Sequence, residues 1–246
     1  MTAHVRRTTG TATDAAPTPP VRPTGHPEQP EPALDGPAPL STLLRTGTRS
    51  EHEAAEGSTF VEDLLAGRLT VRAYADLALQ LRTVYGALEE VGEQVRRTAA
   101  GAGVVFDELL RVPALEADLT QLLGEDWAQD AAPLPVTADY AARIRAGGTD
   151  TGHYVAHAYT RYLGDLSGGQ VIGRMVQRHY AVPDSGVGFY AFPAIPKPKP
   201  FKDLYRARVD ALDLTDDQRD QVVDEARAAF QHNRALFVAL AERHHA

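Results

Sequence analysis

From Leu40 onward, large apolar residues recur every three or four positions, and no stretch alternates apolar with polar as a half-buried strand would. That spacing constrains the chain to helices with one buried stripe each. The clearest stripe joins Tyr74, Leu77, Leu81, Val84, Tyr85 and Leu88, with Thr70 placed to cap its helix. Ser41 is expected to cap a helix running through Glu56 despite Gly47, and Thr215 one running to about Arg243. Shorter helices are expected over 106–110, over 114–123 closed by Gly124, from Thr137 to Gly147-Gly148, and over 202–212. Between them lie a long segment over 152–180, a loop with Pro183, Gly186 and Gly188, and a proline-rich stretch over 193–200. The expected fold is all-α.

One part of the long segment is unusual for a helix. Residues 159–173 read YTRYLGDLSGGQVIG, so Gly164, Gly168 and Gly169 bracket Asp165. Each glycine costs roughly 1 kcal/mol relative to alanine in a helix interior. Their use here is to let backbone lie against something large and flat, with one carboxylate aimed at it.

The remaining composition narrows the setting. The 246 residues suffice for one good-sized domain plus a tail. With 43% hydrophobic residues the chain can build a core, and with no cysteine it has no disulfide, thiolate ligand or cysteine nucleophile. No apolar run approaches the ~20 residues of a membrane span, and no apolar stretch follows Arg6 and Arg7 as in a secretory signal. A soluble cytoplasmic protein is the expectation. A net charge of -8 argues against nucleic acid as a partner. Nine of the 17 prolines fall within residues 1–39, among Thr, Ala and Glu, so this tail is expected to be disordered, with 40–246 as the folded domain.

Several side chains are spaced for chemistry. His52 and Glu56 lie one helical turn apart, where a carboxylate can hold an imidazole as a metal ligand; a surface pair is the plainer reading. His52-Glu53-Ala54-Ala55-Glu56 falls short of the zinc motif H-E-x-x-H because Glu56 replaces its second histidine. Arg45, Lys202 and Arg206 would suit a doubly anionic ligand if they converge, although each alone reads as a solvated charge; Lys197 and Lys199 extend the basic neighbourhood. Arg161 and Asp165 are spaced for a salt bridge, which leaves the surrounding glycines unexplained. His153 and His157 are spaced to bind a metal but lack a third ligand nearby, so packing or capping is expected. Tyr85, Tyr159 and Asn233 fall on apolar faces, where a buried hydroxyl or amide needs a partner.

The segment AHAYTRYLGDLSGGQVIGRM, 156–175, resembles the signature of the haem oxygenases. In the same order, EHEAAEGSTFVEDLLAGRL resembles that family's proximal helix, FPAIPKPKPFKDLYRARVDAL its haem-propionate region, and EARAAFQHNRALF its last core helix. The resemblance covers about residues 40–244 and implies a single multi-helix domain with haem b between a proximal and a kinked distal helix. It implies that His52 ligates the iron with Glu56 behind it, and that Gly164, Gly168 and Gly169 form the distal kink. Asp165 would hold a distal water, with Tyr85, Arg161 and Asn233 extending its network. Arg45, Tyr159, Lys202 and Arg206 match the propionate-facing positions; Arg45 stands where many members have lysine, and either supplies the positive charge. The implied reaction is opening of haem by O2, with electrons from a ferredoxin or flavoprotein reductase, to biliverdin (the IXα isomer), carbon monoxide and Fe2+. The expected protein is a monomer without the membrane-anchoring tail of animal members. Two other readings stand beside it: a non-catalytic haem-binding protein on the same fold, and an enzyme of the thiaminase-like helical fold, whose typical members use a cysteine absent here.

Overall fold

Local sequence explains most of the helices of the computed structural model, which describes residues 38–129 and 131–245. Most of the stretch expected to form a disordered tail therefore lies outside the described residues. Ten α-helices follow in order: α1 Leu40–Gly47, α2 Arg49–Glu56, α3 Thr59–Leu65, α4 Val71–Val95, α5 Val112–Leu123, α6 Pro135–Ala146, α7 Thr151–Ala158, α8 Gln170–Tyr180, α9 Pro198–Asp210 and α10 Asp216–His245. The described residues contain no strand, and none of their helices is long and apolar enough to cross a membrane. Thr70 caps α4, its Oγ1 accepting from the Ala73 amide at 3.2 Å. Thr215 and Gln218 satisfy each other's amides at the start of α10, at 2.9 and 3.3 Å, forming a capping box. All six residues of the α4 stripe are buried.

Several expected boundaries move, α9 among them, which runs Pro198–Asp210 rather than over 202–212. The helix expected through Glu56 breaks at Thr48, whose hydroxyl turns back to the Leu44 carbonyl at 2.7 Å. The Gly47 carbonyl accepts from Arg227 Nε of α10 at 2.8 Å, and a methyl at Gly47 would stand 2.6 Å from Val223 Cγ1. Close approach of α10 thus ends α1. Ser41 lies inside α1 rather than capping it; its amide and hydroxyl donate to the Asp210 carboxylate of α9 at 2.7 and 2.9 Å. Pro135, not Thr137, opens α6, because its fixed φ suits the first turn. Residues 106–110 shorten to the 3-10 turn Asp107–Leu109.

The long segment runs α7, two wide π turns at Tyr159–Leu163 and Asp165–Gly169, then α8. The α10 helix packs against α1, α2, α3, α4, α6 and α7, so it is the spine around which the others collect. This packing sets α2 and α10 opposite the π turns and leaves a slot between them.

Candidate functional site

The slot has a wall on each side. His52, Ala55 and Glu56 of α2 line one; Gly164, Asp165 and Gly168 of the π turns line the other. Leu64, Leu77, Ile172, Phe189 and Phe237 close its apolar end. The slot has a cavity volume of about 140 Å³. At the other end the slot continues into a basic mouth with Arg45, Arg49, Tyr159 and Arg206, and the two share His52, Glu56, Gly164 and Gly168.

The glycines do two jobs. Gly164 and Gly169 have ordinary right-handed helical dihedrals, so conformational freedom is not their use. Around Gly164 and Gly168 a methyl would meet nothing within 4 Å; both present bare backbone to open space. Gly169 differs from that expectation. It also borders the slot, but a methyl there would stand 3.1 Å from the Tyr190 ring, and one at Gly173 would stand 3.1 Å from Tyr190 Cβ. These two glycines admit Tyr190, whose loop is held from α5. Asp118 accepts from the Gly188 and Phe189 amides at 2.7 and 2.8 Å, and Arg111 donates to the Ala191 carbonyl at 2.5 Å.

Asp165 sits at the end of a buried chain of hydrogen bonds. The Tyr85 hydroxyl donates to Asp165 Oδ2, Arg161 Nε donates to that hydroxyl at 3.2 Å, and Arg161 Nη1 donates to Asn233 Oδ1 at 2.5 Å. Arg161 Nη2 stands 3.9 Å from Asp165 Oδ1, too far for a hydrogen bond, so that oxygen keeps acceptor capacity beside the slot. Burial pushes the Asp165 carboxyl above its ordinary value, against the opposing pull of the Arg161 charge and the Tyr85 hydrogen bond. Burial likewise pushes the Tyr85 hydroxyl well up, so it serves as a donor to the carboxylate.

On the facing wall, His52 Nδ1 lies 3.5 Å from Glu56 Oε2. A carboxylate there favours the proton on Nδ1 and leaves Nε2 with a free lone pair. The His52 ring meets Phe230 of α10 edge-on at 5.5 Å.

The fold therefore brings together most of the residues singled out by sequence. Tyr85 stands one layer behind the slot, reached through Asp165. Lys202 is beside the mouth, its Nζ donating to Ser167 Oγ at 3.1 Å, and Arg206 pairs with Asp203 at 3.1 Å while lining the mouth. Burial raises the Tyr159 hydroxyl's pKa, with Arg206 and Arg45 opposing that shift. Lys199 pairs with Asp203 on the surface. Sequence reasoning missed Arg49, Thr160 and Phe230. Arg49 was legible, four residues after Arg45 and three before His52; Phe230, three before Asn233 on α10, was legible in the same way.

A helical body that faces one imidazole across a slot with a bare backbone wall, and rings the slot's mouth with cations, defines a class. It is built to clamp a flat, mainly apolar ligand with anionic groups at one edge. The sequence model of the family described as Heme oxygenase matches residues 38–239. The chain is 41% identical over 206 residues to Heme oxygenase 1 of Rattus norvegicus, covering 82% of this chain and 71% of that protein. Among solved structures, heme oxygenase-2 from Synechocystis sp. PCC 6803, in complex with heme and NO, superposes with a TM-score of 0.80 at 32% identity, covering 84% of this chain and 86% of that one. The heme oxygenase from Leptospira interrogans gives 0.78 at 35%, covering 82% and 100%. This chain belongs to the heme oxygenase family, a family of haem-degrading enzymes, and has its fold.

Proposed function

We propose that this chain binds haem in the slot and opens it with O2 and externally supplied electrons to biliverdin, carbon monoxide and Fe2+. The observation that carries the reading is the bare backbone at Gly164 and Gly168 facing His52 across the slot, where side chains at either glycine would fill the space that a flat macrocycle would need. Bound haem supplies the iron that activates O2 and is itself the molecule consumed. His52 would hold that iron through Nε2, with the Glu56 carboxylate 3.5 Å from Nδ1 on the other side of the ring. Arg45, Tyr159, Arg206 and, from the side, Lys202 place positive charge and a hydroxyl at the mouth, where they would hold the propionates and so orient the ring. The residues that orient the ring would decide which meso carbon is opened, and biliverdin IXα is the isomer we assign.

Asp165 is neither a ligand nor a strong free base in this reading. Its Oδ2 is committed to Tyr85, and its Oδ1 would accept from a water held in the slot. Arg161 and Asn233 keep that carboxylate and Tyr85 in register. With haem bound, the backbone of Gly164 and Gly168 would lie against it and limit entry of bulk water, and the water held by Asp165 would be the local proton source. Electrons come from a ferredoxin or flavoprotein reductase, with the protein acting as a monomer in the cytoplasm.

The test adds haem, a ferredoxin with its reductase, and air to the protein while the Soret band is followed. Decay of that band with appearance of a bilin spectrum is the expected result. A stable Soret band would leave a haem binder without turnover, and no spectral change on adding haem would remove the reading altogether.

A further inference from the structure

The function leaves one feature of the sequence unused: the histidine pair at 153 and 157, one turn apart on α7. The structure adds the carboxylate that the local sequence lacked. Glu225 of α10 places Oε1 3.0 Å from His157 Nε2 and 3.7 Å from His153 Nδ1, and the three atoms lie within 4.8 Å of one another. Two histidines four apart on one helix, with a glutamate from another, form the His2Glu ligand set of helical zinc sites.

We propose that His153 Nδ1, His157 Nε2 and Glu225 Oε1 form a site for a divalent first-row cation of the zinc type, separate from the slot. Three further observations favour this set. His153 Nε2 lies 3.0 Å from the Arg143 carbonyl, which fixes that nitrogen's proton and turns the bare Nδ1 toward Glu225. At 3.7 Å, His153 Nδ1 and Glu225 Oε1 are too far apart to hydrogen-bond directly, so two lone-pair bearers face each other across a gap. That gap opens on a polar pocket bordered by Asp150, Gly152, Gln218 and Gln221, which leaves room for water as the fourth ligand. Tetrahedral zinc bonds of about 2.0–2.2 Å set ligand atoms roughly 3.4 Å apart, so the widest separation in the set, up to 4.8 Å, must close by about 1.4 Å to complete the site.

Two features keep the affinity modest. Arg143 already holds Glu225, its Nε donating to Oε1 at 2.9 Å and its Nη2 to Oε2. Its side chain is 50% exposed, so it can leave Oε1 for solvent and keep Oε2. Ligation also moves the His157 proton from Nε2 to Nδ1, which is buried without a partner among the described residues.

The experiment is calorimetric titration of zinc into the haem-free full-length chain. One saturable equivalent is expected. His153→Ala, at the pocket's edge, is expected to weaken it by roughly tenfold or more, and Glu225→Gln likewise, with circular dichroism confirming that both variants fold. Arg143→Gln removes the competing cation and is expected to tighten binding. His52→Ala and the double variant His244→Ala, His245→Ala are expected to retain it. Absence of saturable binding, undiminished binding in folded His153→Ala, weaker binding in Arg143→Gln, or loss in either control variant would overturn the assignment.

Discussion

At the scale of single residues, Asp165 carries the most consequence. The spacing of Arg161 and Asp165 reads as a helical salt bridge, and the two do pair at 3.9 Å, but the hydrogen bonds run through Tyr85 and Asn233. Asp165→Ala is expected to keep haem binding and lose ring opening; near-normal biliverdin yield from that variant would sink the role. A second expectation follows from the carboxyl's raised pKa. Its folded value lies above the ~3.9 of an unfolded aspartate, so ionising it costs stability. The favourable contribution is complete below the unfolded value and is lost as pH rises through the folded one. Asp165→Asn is therefore expected to raise the urea midpoint of the haem-free protein near neutral pH, with the difference closing in acid. His52→Ala tests the other wall: far-ultraviolet circular dichroism should be unchanged while the ferric Soret spectrum loses its imidazole-ligated form.

At the scale of elements, the two π turns separate glycines that look alike in sequence. Gly168 faces open space, whereas Gly169 faces the Tyr190 ring. That ring cannot easily retreat, because Phe189 packs against it at 4.8 Å and Gly173 closes its other side. Gly169→Ala is therefore expected to lower the stability of the haem-free protein by about 1–3 kcal/mol through overpacking, read as a lower midpoint in urea. Gly168→Leu should leave that midpoint nearly unchanged and instead weaken haem binding, measured by spectral titration. Equal loss of stability in both variants would contradict the division of roles. Helix starts at Thr70 and Thr215 were legible because a cap bonds within three residues of itself. The break at Thr48 and the place of Ser41 were not, because Val223, Arg227 and Asp210 that decide them lie on α9 and α10.

At the scale of the whole molecule, α10 joins the parts. One helix carries Phe230 against His52 and Asn233 against Arg161, so both walls of the slot are referenced to the same spine. A chain beginning at Ala38 is expected to fold and to titrate with haem as the 246-residue chain does; a lower affinity would assign the first 37 residues a part in binding. The residue pairs that make the site are far apart in sequence, with Tyr85 and Asp165 separated by 80 positions and His157 and Glu225 by 68. Sequence by itself determined the all-helical class, most helix ends and the family, because periodicity, caps and the blocks around His52 and Asp165 are local patterns. Only the tertiary structure decided which glycines face the slot, that Tyr85 adds a hydrogen bond to the Asp165 that pairs with Arg161, and that Glu225 lies against the histidine pair. Those outcomes depend on how helices pack, and packing sets distances between side chains that no spacing along one helix contains.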